Sequence, residues 1–153
     1  MKTKNSIIAI LLLPFLMNCS SESTNSQGDV AIVEKYVKAV EELDYATMES
    51  LLDDNYKGFG PSFNDSIGKD QALENWKYNV EYFYKQIKYN RIQTAPVKIS
   101  IGPNKGNWVS SWAELSITYQ SNDNIVIWAN TVYKVENNKI VKSLTFYNEA
   151  DGY

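Results

Sequence analysis

The second half of the chain constrains the fold most strongly. Between residues 96 and 149 it contains four runs rich in β-branched and aromatic residues, separated by three short polar segments. The runs are PVKISIG, NWVSSWAELSITY, IVIWANTVYKV and IVKSLTFYNE. Val, Ile, Thr and aromatic residues favour strands, and Gly, Asn, Pro and Asp between such runs favour hairpins. The stretch therefore predicts an antiparallel meander whose apolar face must be covered by other elements.

The residues before this stretch predict three helices that can cover the meander. The first helix is predicted to begin at the capping residue Asp29 and the second at Asp44. The third is predicted to run from Lys69 to about Ile87, after a short strand at residues 56–59. Its apolar residues have the spacing of one buried stripe: Leu73, Trp76, Val80, Phe83 and Ile87. The order predicts an α+β domain in which three N-terminal helices pack on a strongly curved antiparallel sheet.

The beginning of the chain has the pattern of an export signal. Lys2 and Lys4 precede an apolar run, IIAILLLPFLM, which is too short to span a bilayer. The single cysteine, Cys19, follows this run directly. The pattern resembles a bacterial lipoprotein signal, which implies cleavage before Cys19, lipidation of its thiol and a membrane-anchored location in the cell envelope. An ordinary secretory signal with an unmodified thiol is the alternative.

This pattern divides the chain into three parts. Residues 1–18 are predicted to be the signal peptide. Residues 19–28 are rich in Ser and other polar residues, which is typical of a flexible tether. Residues 29–153 are predicted to form one folded domain, since their number is that of an ordinary domain.

The composition excludes several classes of function. The formal charge is −3 and no basic stripe alternates with aromatic residues, which argues against nucleic acid as a partner. The chain has no His and no group of acids with ligand spacing, so it predicts no metal site and no cofactor. Aromatic residues make up 13% of the chain, including four Trp and eleven Tyr. Tyr and Trp favour a pocket with apolar walls and a few polar groups.

Two sets of residues stand in the order and spacing of a known superfamily. In the first half they are Lys35-Tyr36-Val37, Glu42-Leu43-Asp44, Leu51-Leu52-Asp53-Asp54, Gly60-Pro61 and Gly68-Lys69. In the second half they are Val132-Tyr133-Lys134-Val135-Glu136-Asn137-Asn138-Lys139-Ile140 and Phe146-Tyr147-Asn148. The chain thereby resembles the NTF2-like, or SnoaL-like, superfamily, and its first half resembles the ketosteroid isomerase branch. The resemblance implies a cone-shaped α+β fold, but the fold hosts many activities.

The isomerase site carries over only in part. In that enzyme a helix Tyr and a late-strand acid hold an enolate, and a carboxylate just before a Pro moves the proton. Tyr36 matches the helix Tyr, whereas Gly60 stands at the position of the carboxylate and Thr131 at that of the acid. Proton abstraction requires a base within hydrogen-bond reach. The resemblance therefore implies no steroid isomerisation by this mechanism.

Seven residues are predicted to line a ligand pocket. They are Tyr36, Tyr56, Trp76, Thr131, Tyr133, Phe146 and Asn148. Period-two alternation places Leu144, Phe146 and Asn148 on one face of the last strand, and the resemblance makes that face the inner one. Glu114 is expected on the outer face, where a carboxylate is solvated. Ordinary core packing is the alternative for the aromatic members of the set.

Three tryptophans predict a second functional surface. Trp108, Trp112 and Trp128 are expected on the outer face of the sheet, where an apolar patch often marks an interface, so a homodimer is predicted. Three functions stay open: non-catalytic binding of a small apolar molecule, a SnoaL-type lyase, isomerase or cyclase with a rearranged acid, and an interaction module. The missing base and second acid favour the first.

Overall fold

The computed structural model describes residues 22–60 and 65–147, and this part of the chain forms three helices and six strands. The elements are α1 Glu22–Glu42, α2 Tyr45–Leu51, β1 Leu52–Phe59, β2 Ser66–Gly68, α3 Lys69–Tyr82, β3 Tyr84–Ile99, β4 Gly106–Tyr119, β5 Asn124–Glu136 and β6 Lys139–Tyr147. The α+β class is confirmed. The placing of all three helices at the N-terminus is wrong, because α3 follows β1 and β2.

The six strands form one curved, unclosed sheet in the order β2-β1-β6-β5-β4-β3. Strands β3 to β6 pair antiparallel in sequence order, which is the predicted meander. Strand β1 pairs in parallel with β6, so the sheet as a whole is mixed rather than antiparallel. The parallel pair is possible because the helices and the meander supply the long crossover that parallel neighbours require.

Helix α1 packs a row of buried valines against the sheet. Val33, Val37 and Val40 are at most 5% exposed and belong to one core cluster with residues of β4, β5 and β6. The helix begins at Glu22 rather than at Asp29, so part of the segment predicted to be a tether is helical. Asp44 caps α2 as predicted, since its Oδ1 accepts a hydrogen bond from the Thr47 backbone N–H at 3.0 Å.

Helix α3 ends earlier than its apolar stripe predicts. It stops at Tyr82, and Ile87 lies on β3 with only 3% of its surface exposed. Gln120, from the turn after β4, ends the helix: its backbone N–H donates to the Phe83 carbonyl at 2.7 Å, and its side-chain amide donates to the Val80 carbonyl at 3.1 Å. Carbonyls of the last turn need partners from outside the helix. A residue almost 40 positions away supplies them, which local periodicity does not show.

The hairpin between β5 and β6 contains an irregularity that decides which residues face inward. Asn137 and Asn138 have φ of 51° and 62°, as a tight two-residue hairpin turn requires. The register then shifts between Lys134 and Val135, so that Tyr133 pairs with Ser143. A bulge of one residue moves every later side chain to the opposite face of the strand.

The outer face of the sheet carries large side chains that are exposed. Trp112 and Trp128 are 45% and 57% exposed, and Phe146 and Val126 are 52% and 50% exposed. Trp108 differs from the prediction: it is only 4% exposed, and its indole N–H donates to the Asn104 carbonyl at 2.8 Å. Glu114 lies on this face as expected, and its Oε2 is 3.5 Å from Arg91 Nε.

Candidate functional site

One end of the sheet is open, and the strand directions show which end it is. Strands β1, β4 and β6 finish there and β3 and β5 begin there, because β4 and β6 are antiparallel to β3 and β5, and β1 is parallel to β6. The opposite end is closed by fully buried aliphatic residues, among them Val33, Val109 and Ile140. At the open end, Asp65, Asp123 and Tyr147 are exposed. The helices and the inner face therefore enclose a recess with its mouth at this end.

The recess is a cavity of about 940 Å³ with mostly aromatic and aliphatic walls. The aromatic residues that line it are Tyr36, Tyr56, Phe59, Trp76, Tyr84, Tyr89, Tyr119, Tyr133 and Tyr147. Strands β4 and β5 contribute small or branched aliphatic side chains, including Leu115, Ile127 and Ala129. Such a cavity is large enough for a drug-sized molecule, since ligand pockets usually span about 300–1,000 Å³.

The polar groups of the cavity wall are mostly hydroxyls that bond to one another. The hydroxyl oxygens of Tyr56 and Ser143 are 2.6 Å apart, and those of Thr131 and Thr145 are 3.2 Å apart. The wall thus contains hydroxyls that are already positioned by partners and can turn toward a bound molecule.

Burial keeps the phenols of this wall neutral. Burial raises the pKa of Tyr36 far above its ordinary value, and the nearby phenols of Tyr56 and Tyr89 raise it further. Burial likewise raises the pKa of Tyr133 and of Tyr89, the latter helped by the Glu41 carboxylate. A desolvated phenolate is unfavourable, and a second negative charge nearby makes it more so. These side chains can donate and accept hydrogen bonds but do not ionise at physiological pH.

Five of the seven predicted site residues line the cavity. They are Tyr36, Tyr56, Trp76, Thr131 and Tyr133. Phe146 was assigned to the inner face wrongly: it is 52% exposed on the outer face, because the bulge in the β5–β6 hairpin reverses the alternation of β6. The inner residues of β6 are Ser143, Thr145 and Tyr147 instead. Asn148 lies outside the described residues.

Several lining residues were missed by the sequence reasoning. Ser143 and Thr145 stand opposite Tyr133 and Thr131 in the β5–β6 pair, and residues directly opposite each other share a face. Counting pairs back from the hairpin turn assigns the wrong β6 partners to Tyr133 and Thr131, because no sequence feature indicates the bulge. Asp65 was missed for another reason: it stands in the loop before β2, where periodicity carries no information.

Apart from tyrosines, only two of the ionisable side chains in residues 22–60 and 65–147 line the cavity, and both are carboxylates. They belong to Asp65 and Asp123, and no Lys or Arg lines it there. A side-chain carbon at Gly60 would lie 3.3 Å from Asp65 Oδ2, so the glycine leaves room for this carboxylate at the wall. Ser121 Oγ donates to Asp123 Oδ2 at 2.8 Å, which holds the second carboxylate on the β4–β5 turn.

Neither a metal cluster nor a membrane-spanning helix is found in the described residues. No group of three or more His, Cys, Asp or Glu there could hold a metal ion. None of the helices described is both long and apolar enough to cross a membrane. A second, smaller recess lies beside Asp29 and the β5–β6 turn, and Asp29 Oδ2 has no hydrogen-bond partner among the described residues.

Comparison with known proteins identifies the fold. No protein-family model matches the sequence, and no curated protein is similar to it in sequence. An NTF2-like protein from Anabaena variabilis superposes with a TM-score of 0.67 at 13% identity, covering 85% of this chain and 94% of the other. The chain has the NTF2-like fold. The NTF2-like fold is the one that the resemblance of the sequence implied.

Solved structures with this fold carry different functional names. A candidate polyketide cyclase from Xanthomonas campestris has a TM-score of 0.67 and 14% identity, over 81% of this chain and 93% of its own. An LEH-like epoxide hydrolase from M. tuberculosis has a TM-score of 0.63 and 16% identity, over 83% of this chain and 87% of its own. At these identities the likeness shows the NTF2-like fold alone, and function depends on the side chains of the site.

Proposed function

We propose that this chain is a lipid-anchored protein of the bacterial cell envelope that binds a small, mostly apolar molecule and releases it unchanged. The cavity of about 940 Å³ with aromatic and aliphatic walls carries the proposal. A protein that used the fold only as a rigid platform would fill this space with side chains. Apart from the carboxylates of Asp65 and Asp123, the polar side chains of the wall are neutral hydroxyls and amides, which orient a ligand without exchanging protons near pH 7.

An uncharged fluorescent dye tests the binding. N-phenyl-1-naphthylamine becomes brighter in apolar surroundings, so its emission reports entry into the cavity. Trp76→Ala should weaken dye binding about 5- to 150-fold, because it removes a large contact surface worth roughly 1–3 kcal/mol. Trp128→Ala is the matched control, since Trp128 lies outside the cavity and is 57% exposed. A wild type that binds no dye would contradict the proposal. So would a Trp76→Ala variant that binds the dye with the same affinity as Trp128→Ala.

A second candidate function is proton transfer on a substrate with an acidic C–H bond. One observation favours it: the Asp65 carboxylate stands 3.3 Å from the place where a side-chain carbon at Gly60 would be. Gly60 is the position at which the isomerase resemblance expects a base. Asp65 could therefore supply a base from a different place in the chain, with Tyr36 donating to the developing enolate oxygen.

Hydrogen exchange distinguishes the two candidates. A panel of cyclic ketones is incubated with the protein in deuterated water, and exchange of the C–H bonds next to the carbonyl is followed by NMR. A binder leaves the exchange rate at that of the buffer. Exchange that is faster with wild-type protein and returns to the buffer rate in Asp65→Asn would establish the enzyme and remove the non-catalytic proposal.

The location in the envelope rests on Cys19, which lies outside the described residues. The basic start, the short apolar run and the directly following Cys support a lipoprotein signal. Cys19→Ser should move the protein from the membrane fraction to the soluble fraction in cells that express the full chain. Equal membrane association of the variant and the wild type would show that the anchor is not attached at Cys19.

The outer face of the sheet supports assembly as a homodimer. Trp112, Trp128 and Phe146 are each at least 45% exposed and lie on the neighbouring strands β4, β5 and β6, and Trp112 and Phe146 stand in the same row of pairs. Trp112 pairs with Asn130, and Asn130 pairs with Phe146, so the two rings flank one residue. A second copy would remove these rings from water, which is the ordinary reason for exposed apolar patches.

A further inference from the structure

The charges that line the cavity are all of one sign in the part of the chain that the structure describes. Asp65 and Asp123 contribute carboxylates, and the remaining polar groups are hydroxyls and the amides of Asn75 and Asn79. A cavity with low-dielectric walls focuses the field of the charges at its mouth. Its potential therefore disfavours an anionic ligand and favours a cationic one.

Both carboxylates stand at the mouth rather than deep in the cavity. Asp65 follows the end of β1 and Asp123 precedes the start of β5, and these two strand ends lie at the open end of the sheet. Both residues are exposed, so their carboxylates are hydrated and need no buried counter-ion. Lys85 contacts the same turn as Asp123, where its Nζ donates to Asn122 Oδ1 at 2.8 Å, and it does not line the cavity.

The rings behind the mouth suit the same kind of ligand. Tyr84, Tyr119 and Tyr147 stand at strand ends on the open side and line the cavity together with Trp76. Aromatic faces attract cations such as ammonium groups through the ring quadrupole, and they also bury aliphatic and aromatic carbon. One ligand can therefore use the walls for its body and the mouth for its charge.

We propose that the ligand of this cavity is an organic cation, with an apolar body between the aromatic walls and an ammonium group held at the mouth by Asp65 and Asp123. The inference rests on the proposed binding function and narrows its ligand class. A neutral molecule of the same shape would bring no positive charge to either carboxylate, and an anion would be repelled by them.

Three probes of one shape test the inference. They are 2-(1-naphthyl)ethylamine, 2-(1-naphthyl)ethanol and 1-naphthaleneacetic acid, which present an ammonium, a hydroxyl and a carboxylate on the same ring system at pH 7. Isothermal titration calorimetry on the intact domain gives each Kd. We expect the amine to bind about tenfold more tightly than the alcohol, and the acid to bind most weakly. The preference for the amine should fall as salt rises, because exposed charges are screened.

Variants of the carboxylates locate the preference. Asp65→Asn or Asp123→Asn should each lower the ratio of amine affinity to alcohol affinity about threefold, and the double variant should bring the ratio close to one. Glu74→Gln is the matched control: it removes the same charge from an exposed residue of α3 that does not line the cavity, and the ratio should stay at the wild-type value. Circular dichroism confirms that each variant is folded.

The outcomes separate this inference from the proposed function. Equal binding of the amine and the alcohol, or tighter binding of the acid, overturns the cationic ligand but leaves an apolar binding cavity. An amine preference that survives the double variant also overturns it, since the carboxylates would then not be the cause. Failure of all three probes to bind overturns the inference and the binding function together.

Discussion

The two faces of strands β4 and β5 are made by alternate residues of the same segments and have opposite properties. The inner face carries small side chains where the strands pair: Ala129 lines the cavity, and Ala113 stands directly opposite it on the same face. The neighbouring outer positions carry Trp112 and Trp128, which are 45% and 57% exposed. Two of the three tryptophans of these strands therefore lie where the described chain has no core to fill, and the third, Trp108, is buried.

This difference shows why a large apolar side chain on β4 or β5 is not necessarily a buried one. A curved sheet has a concave side, on which large side chains would fill the cavity, and a convex side, on which the described chain leaves Trp112 and Trp128 about half exposed. Small inner residues keep the cavity open, and the outer rings require another surface if they are to leave water. The inner face is thus suited to a ligand and the outer face to a second protein chain, and each can be altered without the other.

The largest effect is expected from a charge on the outer face. Trp112→Glu should weaken dimerisation at least 30-fold, because central aromatic residues of interfaces carry about 2 kcal/mol or more. Sedimentation equilibrium gives the dissociation constant, and far-UV circular dichroism should be unchanged. Ile101→Glu is the control, since Ile101 is 84% exposed in the β3–β4 turn and not on the sheet face. A wild type that is monomeric at high concentration would remove the proposed dimer.

The same substitution on each face should show the contrast in stability. Val109 is completely buried on the inner face, and Val126 is 50% exposed on the outer face. Val109→Ala should lower the free energy of unfolding by about 2 kcal/mol, from lost burial and the cavity left behind. Val126→Ala should change it by less than about 0.5 kcal/mol. Urea denaturation measures both, and similar losses for the two variants would mean that both faces are covered.

The fold was predictable from the sequence to the extent that it depends on local pattern. The strand character of the four runs, the valines of α1 and the Asp44 cap all depend on residues close together in the chain, and they stand as predicted. The end of α3 was not predictable, because it depends on Gln120 from the far side of the sheet. The parallel pairing of β1 with β6 is likewise a contact between distant segments.

The candidate site was predictable only where a residue's face followed from such a pattern. Tyr36 and Trp76 lie on amphipathic helices, and Thr131 and Tyr133 lie on a strand without a bulge before them. Phe146 was misplaced because a register shift between Lys134 and Val135 reverses the faces of β6. A bulge is a choice between backbone conformations of similar energy, and the packing of the whole sheet decides it.

A buried hydrogen bond of the inner face should matter by an intermediate amount. The hydroxyls of Tyr56 and Ser143 are 2.6 Å apart and buried, so Tyr56→Phe removes one partner and leaves the other unsatisfied. We expect a loss of about 1 kcal/mol in the free energy of unfolding. Tyr82→Phe removes a hydroxyl from a side chain that is 56% exposed, and it should have no measurable effect.

A double-mutant cycle distinguishes the hydrogen bond from general packing. If the bond accounts for the loss, Tyr56→Phe combined with Ser143→Ala should cost less than the sum of the two single changes, because no buried partner is then left alone. Strict additivity of the two losses would show that the hydroxyls contribute separately. The sum would then reflect packing of the two side chains against the cavity wall rather than the contact between them.

The smallest effect is expected from the ion pair of the outer face. Arg91 Nε lies 3.5 Å from Glu114 Oε2, and the Arg91 side chain is 75% exposed, so water and salt weaken the attraction. Asn90 Nδ2 also donates to Glu114 Oε1 at 3.4 Å, and this contact persists with an amide acceptor. Glu114→Gln should therefore lower the free energy of unfolding by less than about 1 kcal/mol at low salt. The difference should almost vanish in 0.5 M NaCl, because the screening length is then only a few ångströms.

Urea denaturation at both salt concentrations measures the effect of Glu114→Gln, with Val126→Ala as an uncharged reference on the same face. A large, salt-independent loss would mean that Glu114 is enclosed more fully than the described residues enclose it, as the proposed interface with a second chain would do.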